Sequence, residues 1–138
     1  VSHSFDVIYS SKKTKQSENY ARQSLKILKG NPNIKELIVA GNLAGDAIEI
    51  TPTTLLHSLS YPITGRYGVP HGHALGLILK RMKNFYNFDV EEFYKIEEVD
   101  DVDYRFVVEE GYGYEKVKNF SGGITKSQVL KMLCGDTV

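Results

Sequence analysis

The feature that most constrains this chain is a helical apolar periodicity that recurs along most of its length, cut into segments by proline and glycine. Between Gln16 and Lys29, Tyr20, Ala21, Leu25 and Leu28 fall at helix spacing, and Gly30-Asn31-Pro32 stops the run. From Asn33, which suits an N-cap, Ile34, Leu37, Ile38, Gly41, Ala44, Gly45 and Ile48 form an apolar stripe with a small-residue middle. That middle admits a neighbouring helix or a ligand, packing being the plainer reading. Thr51-Pro52 ends this helix and Thr53 suits the cap of the next, whose apolar side is Leu55, Leu56, Leu59 and Ile63. Pro62, Gly65, Gly68 and Pro70 then read as a turn-rich stretch. Pro70 suits the first position of a further helix, with Ala74, Leu75, Ile78, Leu79, Met82 and Phe85 on its apolar side. Thr125-Lys126-Ser127-Gln128 is a capping-box pattern opening a last helix through Val129, Leu130 and Leu133. The expected class is all-α, a helical bundle.

Composition narrows the partners. The 138 residues carry 17 basic and 17 acidic side chains, so there is no basic excess to bind nucleic acid or an anionic membrane surface. No apolar run approaches the roughly 18 residues of a membrane helix. The single cysteine, Cys134, excludes an internal disulfide, points to a reducing, cytoplasmic setting and reads as a buried structural thiol. Ten of the seventeen carboxylates lie between Asp89 and Glu110, interleaved with Phe93, Tyr94, Ile96, Tyr104 and Phe106. This reads as a solvated helical face with apolar anchors rather than a calcium loop. Val1-Ser2-His3 at one end and Thr137-Val138 at the other read as cuts inside a longer protein.

Four histidines hold the chemistry: His3, His57, His71 and His73. His57 and His71 are 14 residues apart. On one unbroken helix that is about 21 Å, too far to share an ion. A bend at the prolines and glycines between them can fold the second helix back so that His71, in its first turn, converges on His57. His73, two residues on, is rotated by about 200° and points elsewhere if both are helical. On spacing alone, a shared ion and two unconnected structural histidines both stay open.

The letters around these histidines are more specific. Thr53-Thr54-Leu55-Leu56-His57-Ser58-Leu59-Ser60-Tyr61-Pro62, then Gly68-Val69-Pro70-His71-Gly72-His73-Ala74, resembles the signature of the iron-containing (group III) alcohol dehydrogenases. Ser2-His3-Ser4-Phe5 is similar to the tail of that family's Asp-Ala-x-x-His helix motif. The resemblance runs from His3 to about Met82. It implies that residues 1–138 are the C-terminal helical metal-binding domain, of the dehydroquinate synthase-like fold. An N-terminal dinucleotide-binding domain and the last family helix would lie outside this chain. It implies a catalytic Fe2+ (Zn2+ being compatible with the same donors) held by His3, His57, His71 and an aspartate upstream of Val1. Asp6 does not match that aspartate, although three residues from His3 it can reach the same side of a helix.

Such a site implies oxidation of an alcohol or reduction of an aldehyde with NAD(P), which carries the hydride while the ion polarises the oxygen. Tyr61 stands where many members have a second histidine, so it is the catalytic candidate: its hydroxyl can hydrogen-bond substrate or cofactor. A phenol, ordinarily ionising near pH ~10, is a poor proton shuttle unless perturbed. The His-x-x-Ser-Tyr variant is closest to members acting on phosphonoacetaldehyde or a keto-sugar acid. Arg66 and His73 are candidates to receive an anionic substrate group. The resemblance also implies a homodimer or larger assembly and little dehydrogenase activity for this chain alone. Two competing readings are a non-catalytic helical binding module with structural histidines, and a small metallohydrolase using Asp6 or Asp46.

Overall fold

The computed structural model describes residues 1–135, so the Thr137-Val138 terminus lies outside the described residues. They fall into two compact units, Val1–Thr54 with Lys118–Gly122, and Leu55–Val117 with the chain from Gly123 onward. Regular structure is helical. None of the described helices is long and apolar enough to cross a membrane.

The first unit contains α1 (Ser2–Ile8), α2 (Lys15–Lys29) and α3 (Ile34–Ile50). Local chemistry sets its helix ends. Thr14 and Ser17 form a reciprocal capping box at the start of α2, and Asn33 and Glu36 form another at the start of α3. Val7, Ala21 and Ala47 make the apolar centre, with Ile8, Tyr20 and Ile48 packed against it. Buried hydroxyls tie the helices together: Ser24 Oγ donates to the Ala40 carbonyl at 2.8 Å, and Thr51 Oγ1 lies 2.8 Å from Ser17 Oγ. The 118–122 segment joins by one antiparallel bridge, in which Ser11 N–H donates to Asn119 O and Ser121 N–H to Tyr9 O.

The α3 stripe packs differently from its sequence pattern. The buried residues are Ala40, Ala44 and Ala47, whereas Ile34 is 77% exposed, Leu37 47% and Ile38 59%. Short alanines let α3 approach α2 closely, as the Ser24–Ala40 bond requires. That rotation turns the larger side chains outward.

The second unit contains α4 (Leu55–Tyr67), α5 (His71–Arg81), α6 (Lys83–Tyr86), α7 (Tyr104–Gly111) and α8 (Lys126–Cys134), with a short 3-10 turn at Val90–Glu92. Leu55, Leu56, Leu59, Ile63, Leu77, Ile78, Met82, Val107, Val108, Val129 and Leu133 are fully buried. Phe85, expected on this apolar side, is half-buried beyond the end of α5. Thr125 and Gln128 form the capping box that opens α8.

The turn-rich stretch is shorter than the sequence suggests. α4 runs straight through Pro62 and Gly65 to Tyr67, and the reversal is confined to Gly68–Pro70. A proline inside a helix removes one ladder bond, here the one to the Ser58 carbonyl, four residues back. Burial of Leu55, Leu56, Leu59 and Ile63 outweighs that loss. The turn itself needs Gly68, whose φ of +67° is left-handed. Pro70 is then the N-cap of α5 and His71 its first residue.

The acidic stretch is not a helical face. Between the 3-10 turn ending at Glu92 and α7 it is irregular, with Ile96 buried as an anchor. Two of its carboxylates pair with α5: Lys80 Nζ lies 3.0 Å from Glu98 and 3.5 Å from Glu91, and Arg81 3.0 Å from Glu98. Arg81 also donates to the Leu133 carbonyl at 2.7 Å and lies 4.5 Å over the Tyr104 ring. Cys134, expected to be buried, is exposed at the end of α8, because the buried face of that helix is Val129 and Leu133.

Candidate functional site

The reversal at Gly68–Pro70 brings the start of α5 against α4. Their imidazoles meet there: the ring centroids of His57 and His71 are 5.3 Å apart, inclined at 51°. Two imidazoles on one tetrahedral ion, with metal–nitrogen bonds of about 2.0–2.1 Å, hold their centroids about 5 Å apart. The pair therefore fits a shared divalent ion in both donor type and spacing.

The two rings differ in surroundings. His57, in the first turn of α4, is 4% exposed, and Ser60 Oγ donates to its backbone carbonyl at 2.7 Å. His71, in the first turn of α5, faces solvent. Its imidazole is held below the usual histidine range, first by desolvation and then by the charge of His57. Both effects favour the neutral ring, the form that ligates metal.

Tyr61 follows His57 by one helical turn and extends the cluster. Its ring stacks on His71 at 6.4 Å and 16°, and meets Tyr114 edge-on at 5.0 Å and 70°. Lys116 Nζ donates to the Tyr61 hydroxyl at 2.8 Å, and lies 5.0 Å from the ring centroid. Nothing in the sequence reading singled out Lys116 or Tyr114. The only signal was the Gly111-Tyr112-Gly113 loop just before them, and no spacing rule connects residue 116 to residue 61.

Other candidates lie elsewhere. His3 is half-buried on α1 in the first unit. Asp6 is buried on the same helix, where Thr54 Oγ1 donates to its backbone carbonyl at 2.9 Å and lies 3.2 Å from its Oδ1. Asp46 is exposed on α3. His73 points away from the pair, its Nε2–H donating to the Glu97 carbonyl at 2.6 Å. Arg66 stacks over the Phe106 ring at 4.2 Å. Among the described residues, no three histidine, cysteine or carboxylate side chains form a ready-made metal cage.

Residues 15–104, which include His57, Tyr61 and His71, match the model of the Fe-containing alcohol dehydrogenase family, C-terminal region. The chain belongs to this family. A 46-residue stretch is 41% identical to a phosphonoacetaldehyde reductase of Streptomyces viridochromogenes, covering 33% of this chain and 12% of that protein. The fold is similar to the crystal structure of an iron-containing alcohol dehydrogenase from Thermotoga maritima, with a TM-score of 0.67 and 25% identity over 95% of this chain. A second iron-containing alcohol dehydrogenase structure gives 0.68, also at 25% identity and 95% coverage. The chain spans 45% of the length of each of these two structures. The family of iron-containing alcohol dehydrogenases is thus established for this helical chain, whereas His3 lies outside the matched span.

Proposed function

We propose that this chain is the metal-holding helical part of a nicotinamide-linked alcohol dehydrogenase or aldehyde reductase. The observation that carries the proposal is the approach of His57 and His71 to 5.3 Å within the span matched to the family. His57 and His71 each supply an imidazole nitrogen, and His3, on α1, is the third proposed ligand. A divalent ion bound there, Fe2+ by family, would supply the electrophile for an alcohol or aldehyde oxygen.

The remaining work falls to the chain's own groups. His57 holds its ring from within the packed α4, so the donor is fixed in direction before any ion arrives. His71 presents its ring from the solvent side. Tyr61 extends the site through its stack on His71, and its hydroxyl accepts a hydrogen bond from Lys116. In this reading the hydroxyl orients the reacting oxygen by hydrogen bonding. NAD(P) would bind mainly to a domain outside residues 1–138. The relative named for phosphonoacetaldehyde supports a short aldehyde bearing an acidic group as the substrate class.

The test is metal retention. After loading with Fe(II) or Zn(II) and gel filtration, the purified chain is expected to keep metal, and His57→Ala and His71→Ala to lose it. Unchanged retention in both variants would remove the shared site. Residues 1–138 alone are expected to show little NAD(P)H-dependent aldehyde reduction, and robust turnover would contradict a division of labour with a second domain.

A further inference from the structure

Helix α3 leaves a contiguous apolar face in solvent. At 3.6 residues per turn, Ile34, Leu37, Ile38, Gly41 and Gly45 fall within one arc of roughly 100°. The first four are exposed and Gly45 is partly so, while Ala40, Ala44 and Ala47 form the buried arc beside them. Contiguous apolar surface of this kind marks an interaction site on a folded domain. Two further features are unexplained by the chain's own contacts. Glycine is a poor helix former, yet a Cβ built on Gly41 or Gly45 would meet no described atom within 4 Å. On one flank of the same arc, the Lys35 and Glu49 side chains are exposed and have no ion pair among the described residues.

We propose that this face docks onto the same face of a second copy of the chain, the two α3 helices running antiparallel about a two-fold axis and crossing between Gly41 and Gly45. The glycines let the backbones approach closely at the crossing. Ile34, Leu37 and Ile38 of each copy then cover the C-terminal half of the other copy's α3. The charges select the antiparallel sense. From the level of Leu43, midway between the glycines, Lys35 lies about 12 Å towards the N-terminus and Glu49 about 9 Å towards the C-terminus. A two-fold axis across reversed helices brings like flanks together, so Lys35 and Glu49 of the second copy stand within about 3 Å of each other along the axis. Parallel helices would leave that pair about 21 Å apart. Symmetry makes the pair occur twice. With 17 basic and 17 acidic side chains, two copies meet without net repulsion. One helix pair buries less than a standard interface of about 1,200–2,000 Å², so the dissociation constant is expected on the order of 10–100 µM. At lower concentrations the chain is a monomer, whose folding does not depend on the outward face. The inference does not rest on the dehydrogenase reading.

Sedimentation equilibrium of the 138-residue chain, from about 5 to about 500 µM, tests this. A reversible monomer–dimer equilibrium is expected. Ile38→Lys should weaken it at least about tenfold. Gly41→Ala should weaken dimerisation while raising the melting temperature of the dilute chain, opposite signs that a merely solvated glycine would not give. Lys35→Glu should weaken the dimer severalfold, and adding Glu49→Lys should restore it. Both charge changes suit the helix macrodipole, so neither endangers α3, and melts of the dilute variants show that each is folded. Tyr94→Ser, at an exposed aromatic of the second unit, should leave the equilibrium unchanged. A chain that stays monomeric throughout overturns the proposal and assigns the face to a different partner. Dimerisation undiminished in Ile38→Lys overturns it too, by placing the contact elsewhere. A dimer that Ile38→Lys weakens but the paired charge exchange does not restore overturns the antiparallel arrangement.

Discussion

A methyl group placed on Gly111 would lie 2.9 Å from Leu59 Cδ2 and 3.2 Å from the Ser58 carbonyl oxygen. This carbonyl is the one that Pro62 leaves without its ladder partner, so α7 meets α4 at the place where the proline interrupts it. Gly111→Ala is expected to destabilise the chain by about 1–3 kcal/mol, because the clash involves backbone and a fully buried leucine. Urea denaturation checks this, and an unchanged midpoint would mean that the two helices have room to part.

His71 gives the pH prediction. The folded chain holds its imidazole below the ordinary 6.5, so between the two values the native state binds fewer protons than the unfolded one. The stability linked to this group is complete above the unfolded value and is lost as pH falls through it towards the folded one. NMR titration should place the His71 midpoint below 6.5, and His57→Gln should raise it part of the way, since the neighbouring charge is the smaller cause after desolvation. A midpoint at or above 6.5 would contradict the packed geometry.

Two arginines should behave in opposite ways. Arg81 joins the Leu133 carbonyl, Glu98 and the Tyr104 ring, so Arg81→Leu should cost about 2 kcal/mol. Arg22 pairs with Glu18 one turn away on an exposed face, and Arg22→Leu should change stability by no more than about 0.5 kcal/mol. Paired denaturation curves make the comparison.

On α3, Ile38→Lys should leave the stability of this chain within about 0.5 kcal/mol, while Ala44→Lys, which puts a charge in the buried face, should cost several times as much. Equal losses would show that the outward face is covered after all.

That α3 contrast shows where the sequence was legible. Asn33 and Thr125 announced their helices because capping is a local hydrogen-bond pattern, readable over four residues. The periodicity of Ile34, Leu37 and Ile38 gave the helix but not which face its neighbours would choose. That choice depended on how closely α2 could come. Pro62 misled for the same reason: a local rule was overridden by burial of residues on either side of it. The convergence of His57 and His71 was legible once a reversal between them was granted, although its hinge proved to be three residues, Gly68–Pro70, rather than the whole stretch. Lys116 was not legible, because its partner lies 55 positions earlier and only the folded chain brings the two together.

The continuity of α4 through Pro62 has a mechanical consequence. His57 and Tyr61 sit one turn apart on a single helix, so a shift of that helix would carry both rings together.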